Sequence, residues 1–124
     1  MSDHHLTHRC VNDDTCVIVA ESTLDNNNAH EMHGAIGELL SKGYKNIVVD
    51  MSQLEFLASA GVGSIIGNVE TAREAGGDII LCNVSKTVQH VLDVLDLGEY
   101  LTVAGSVGDA TARTKTVSSS GEAQ

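Results

Sequence analysis

Two short runs without a polar residue, Ile47-Val48-Val49 and Ile79-Ile80-Leu81, constrain this chain more than any other feature. A strand whose consecutive residues are all apolar must be covered on both faces, the condition of a parallel sheet backed by helices. Ahead of the first run, Ala29, Met32, Ala35, Ile36, Leu39 and Leu40 recur at helical spacing, and Gly43 stops the segment as a left-handed cap residue does. Ahead of the second, Val62, Ile65, Ile66, Val69 and Ala72 keep the same period. They predict a second helix over Gly61–Ala75, closed by Gly76-Gly77. Right-handed crossovers then carry the chain through Leu24–Met51 and Leu57–Cys82.

The rest of the chain fits around that frame. A strand is predicted near Leu6–Val11, a turn at Asn12-Asp13-Asp14-Thr15 and a strand at Cys16–Glu21, followed by a polar loop, Ser22–Asn28. Strands at Asn46–Met51 and Asp78–Cys82 contain the apolar runs, and Ser52–Ala60 reads as a connector. Val88, Val91, Leu92 and Leu95 mark a third helix with Ser85 placed to cap it. Leu101–Val103 reads as a last strand and Val107–Arg113 as a short terminal helix. The expected fold class is α/β: one domain with a central mixed or parallel β-sheet of about four to five strands, and three to four helices packed on it. The expected boundaries are a flexible N-terminus over 1–5, the domain over 6–113 and a disordered tail over 114–124.

Composition narrows the function. A chain of 124 residues has room for one domain. Seventeen acidic against seven basic residues give a formal net charge of −10, which argues against a nucleic-acid partner or an anionic membrane surface. Aromatic residues are 2%, leaving no stacking platform for single strands. Met1 to Arg9 is polar and His-rich, unlike a signal peptide, and stretches such as Cys16–Ala20 are too short to span a bilayer. Cys10, Cys16 and Cys82 are odd in number and form no CxxC pair, which fits a reduced, cytoplasmic compartment. Cys10 and Cys16 flank the first turn, where a hairpin would bring them face to face.

Small residues crowd Ala58-Ser59-Ala60-Gly61-Val62-Gly63-Ser64, at the junction of connector and second helix. Ser59 there has two readings. It caps the helix, the commoner role of such a serine, or it is a phosphorylation site whose phosphate is held by free helix amides. Catalytic motifs fail on the letters. A nucleophile elbow needs glycine where Leu57 stands, a dinucleotide fingerprint from Gly61 needs glycine where Ile66 stands, and no Gly-Lys-Ser or Gly-Lys-Thr occurs. His30 and His33 are three apart, lack the zinc-protease spacing and a third ligand, and read as a solvated helix edge, so neither metal nor cofactor is expected. Asp25 and Asp50 each end a strand-like segment, where ligand contacts or loop hydrogen bonds both occur.

Val49-Asp50-Met51-Ser52, followed by Leu54-Glu55-Phe56-Leu57-Ala58-Ser59-Ala60-Gly61-Val62-Gly63, resembles the STAS domain, specifically its single-domain anti-sigma-factor antagonists. Leu24-Asp25, Gly76-Gly77 and Cys82-Asn83-Val84-Ser85 support the resemblance, which covers residues 6–105. It implies a single STAS-like domain and a non-catalytic switch. Its partners would be an anti-sigma factor that is also a serine kinase, and a metal-dependent serine phosphatase. It implies phosphorylation at Ser59 and a partner-binding patch of Asp25, Asn26, Asn27, Asn28, Ala58, Ser59, Ala60, Gly61 and Val62. The chain departs from the family at Ala58, where an aspartate is usual, and at Ala60, which leaves Ser59 as the turn's one acceptor. Two other functions fit the same letters: a STAS scaffold for another signalling or transport partner, and a small-ligand or nucleotide module using Asp25 and Ser59.

Overall fold

The computed structural model describes residues 6–112. In chain order the elements are β1 (Leu6–Cys10), β2 (Thr15–Leu24), α1 (Ala29–Ser41), β3 (Asn46–Leu57), α2 (Ser59–Ile66), α3 (Val69–Glu74), β4 (Asp78–Cys82), α4 (Lys86–Val94) and β5 (Thr102–Ala104). A further helical stretch covers 107–112. The sheet order is β1-β2-β3-β4-β5, with β1 antiparallel to β2 and every other pair parallel.

The apolar runs explain the layering. Ile47 and Val49 of β3, with Ile79 and Leu81 of β4, point to the face that carries α1 to α4. There Met32, Ile36, Leu39, Val62, Ile65, Val69, Ala72, Val88 and Leu92 close the main core. The alternate residues Val48 and Ile80 point the other way, where Val17, Cys82, Ala104 and Ala110 form a second, smaller cluster under 107–112. Helix α1 ends where Gly43 takes a φ of +102°, a conformation that costs glycine little.

Four sequence expectations need correction. Strand β2 runs to Leu24, so Ser22 and Thr23 belong to it rather than to a loop. Strand β3 runs to Leu57, because Gln53, Leu54, Phe56 and Leu57 pair with Glu21, Ser22, Thr23 and Leu24 beyond the end of β4. The helix expected over Gly61–Ala75 is two helices. Helix α3 starts after Asn68, whose side-chain amide donates to the His33 carbonyl (3.1 Å) and lies 3.3 Å from His33 Nδ1, pinning the break to α1. His33 is therefore a helix–helix contact and not just a solvated edge. Finally, Cys10 and Cys16 stand opposite one another in the β1–β2 ladder and are joined by a disulfide, whereas free thiols were expected. Met1–His5 and 113–124 lie outside the described residues, and with them the expected flexible terminus over 1–5, the expected tail over 114–124 and the last residue of the expected helix Val107–Arg113.

Candidate functional site

The second expected crossover delivers Ser59 to the surface. Residue Ala58, with φ −92° and ψ 164°, is the N-cap of α2, and Ser59 is its first helical residue. The expected cap thus falls one position early, and no side chain caps this helix. Ser59 is exposed, and its hydroxyl makes no hydrogen bond to another described residue. The amides of Gly61 and Val62 turn back to the Ala58 carbonyl (2.9 and 3.2 Å). Those of Ser59 and Ala60, at the helix start, have no intrahelical acceptor.

Two contacts fix this turn to the end of β2. The Ala58 amide donates to the Leu24 carbonyl (2.9 Å). A Cβ on Gly61 would stand 2.7 Å from that same oxygen and 2.8 Å from Leu24 Cγ, so only glycine lets α2 approach so closely. The loop after Leu24 is thereby held beside the Ser59 turn. In it the Asp25 carboxylate accepts from the Asn27 amide (2.9 Å), while Asn28 Oδ1 accepts from the Asp25 amide (2.8 Å) and Asn28 Nδ2 donates to Thr23 (2.8 Å).

These contacts sort the expected patch. Asn26, Asn27 and Ser59 are exposed, and Asp25, Ala58 and Ala60 are half-buried, all on this surface. Asn28, Gly61 and Val62 are buried: Asn28 spends its side chain on the loop, Gly61 permits the close approach and Val62 fills the core. Asp50 does not end its strand. It lies mid-β3, opposite Cys82, and accepts hydrogen bonds from Asn83 Nδ2 and the Ser52 amide, both at 3.0 Å. Burial alone would raise its pKa, but these bonds and the charge of Arg9 outweigh burial and hold it below the usual value. Burial, and then Asp50, push the Cys82 thiol up to about 11, so it is inert at neutral pH. Among the described residues no three His, Cys, Asp or Glu side chains gather to hold a metal, and no helix is long and apolar enough to cross a membrane.

The family model for the STAS domain matches residues 9–110. The chain belongs to the STAS domain family. An anti-sigma F factor antagonist of Lysinibacillus sphaericus is 26% identical over 98 residues, 78% of this STAS chain and 84% of the relative. Among solved structures, the anti-sigma factor antagonist SpoIIAA in its unphosphorylated form superposes with a TM-score of 0.78 at 26% identity, covering 90% of this chain and 96% of that one. The Bacillus cell fate determinant SpoIIAA in its phosphorylated form gives 0.68 at 25% identity, over 87% of this chain and 97% of that one. The STAS fold was legible in the letters. The one-residue shift of the helix start and the fusion of the Asp25 loop to the Ser59 turn were not, because both depend on contacts between β2 and α2.

Proposed function

We propose that this chain is an anti-sigma-factor antagonist, a non-catalytic cytoplasmic switch that binds an anti-sigma factor which is also a serine kinase. The binding patch comprises Asp25, Asn26, Asn27, Ala58, Ser59 and Ala60. The kinase turns the switch off by phosphorylating Ser59, and a metal-dependent serine phosphatase resets it. One observation carries the reading: an exposed hydroxyl, with no hydrogen bond to another described residue, stands first in a helix beside the Asp25 loop. The likeness to a phosphorylated form of SpoIIAA supports it.

The physics of the switch is local. Phosphorylation adds about −1.5 to −2 charges at neutral pH. The helix start accommodates them, since its amides and dipole favour an anion. An interface built to the unmodified surface does not: like charge beside Asp25 and desolvation of the phosphate cost several kcal/mol. At about 1.4 kcal/mol per decade, that is at least a hundredfold in affinity.

The test is calorimetric titration of the purified cognate anti-sigma factor with wild type, Ser59→Ala and Ser59→Glu. Ser59→Glu is expected to weaken binding at least about a hundredfold while its melting temperature stays with wild type. Wild-type affinity in Ser59→Glu would overturn the switch.

A further inference from the structure

Among the described residues, three of the five exposed large apolar side chains gather in one place. Phe56 (50% exposed), Val94 (68%) and Leu95 (38%), with Leu57 and Val91, line an open groove of about 330 Å³ between the end of β3 and α4. Ser59 and His90 complete its wall. Scattered surface apolar residues are ordinary, but a cluster sharing one groove marks a contact surface. The helix shows the same thing. Val88 and Leu92 are the α4 residues buried against the sheet. Val91, Val94 and Leu95, spaced i, i+3 and i+4, form a second stripe: Val91 is half-buried and packs partly on the main core, while Val94 and Leu95 are exposed and belong to neither core cluster.

Charge selects the occupant. Asp93, Asp96 and Glu99 are exposed on and just after α4, outside the groove's lining, in a chain of net charge −10. A nucleotide or fatty acid would bring its own negative charge to this acidic end of the molecule. A second copy of the chain would bring the same acidic surface. A segment presenting an apolar side chain flanked by Lys or Arg suffers neither penalty and gains attraction. We infer that the groove is a second contact for the anti-sigma factor, taking an apolar anchor flanked by basic residues from an amphipathic segment. The inference rests on the Ser59 reading above. It adds a reason for the switch's effect: a phosphate on Ser59 stands in the groove's wall and meets the anchor as well as the Asp25 loop.

The experiment uses the full chain and the purified cognate anti-sigma factor, titrated at low and high salt. Val94→Ser and Phe56→Ser, at positions half exposed or more, are expected to melt with wild type and bind at least tenfold more weakly, while Val94→Leu retains affinity. Asp93→Lys with Asp96→Lys is expected to weaken binding and flatten its salt dependence. If both serine variants bind within twofold of wild type while Ser59→Glu fails, the groove has no part in recognition and the Ser59 switch stands. If the groove variants fail while Ser59→Glu binds as wild type, the groove contact stands and the Ser59 switch falls. A wild-type dimer in sedimentation that Val94→Ser converts to monomer would make the occupant a second copy and overturn the inference.

Discussion

At Gly61 the absence of a side chain decides how closely α2 approaches β2. Gly61→Ala would place a methyl group against the Leu24 carbonyl and the Leu24 and Leu57 side chains. It is expected to lower stability by about 1–3 kcal/mol, as overpacking does. Gly63, two residues on, has open space where a Cβ would stand. Gly63→Ala is expected to raise stability by up to about 1 kcal/mol through helix propensity. Urea midpoints of the two variants, moving in opposite directions, check both. The letters alone do not rank these glycines, because the difference lies in what β2 brings against each. Asp50 offers a second residue-scale test. Its pKa is depressed in the folded protein, so its contribution to stability is present above the ordinary carboxylate range and is lost as pH falls through the folded value. Asn83→Ala removes the 3.0 Å hydrogen bond and is expected to raise the Asp50 pKa, read from its carboxyl carbon shift by NMR. It should also narrow the acid range in which the protein stays folded.

At the scale of elements, two serines expected to cap helices part company. Ser85 accepts from the Val88 amide at 3.2 Å and caps α4, whereas Ser59 lies inside its helix and caps nothing. Ser85→Ala is therefore expected to cost about 1 kcal/mol, and Ser59→Ala less than about 0.5 kcal/mol. Thermal unfolding of the pair distinguishes them. Helices with a clean 3.6-residue period and strands with unbroken apolar runs were legible in the sequence. The far half of β3 was not. There the strand pairs with β2 alone, and register shifts between Val19 and Glu21 and between Ser22 and Thr23 break the two-residue alternation. Nor was the division of α2 from α3 legible. Gly67 and Asn68 sit within an uninterrupted apolar period, and the reason for the break, the His33 contact, comes from α1.

For the whole molecule, the disulfide ties the exposed strand β1 to the core strand β2. Its cysteines are six apart in sequence, so the loop it closes is short. Closing such a loop is worth about 2 kcal/mol in chain entropy. Reduction is expected to lower the unfolding free energy by that amount in urea titrations with and without a phosphine reductant. Cys82, buried, should stay unreactive to thiol reagents until the chain unfolds.

The overshoot of β3 past β4 has a consequence for the architecture. From Gln53 onward the strand is braced on one flank only, by β2, and Ser59 rides at its tip. The serine follows a strand end that extends past β4 while its Leu54 and Leu57 side chains stay in the main core. A visiting protein can grasp the tip without disturbing the packed strands behind it, and amides along the overhang should exchange with solvent before those of Ile47 to Asp50.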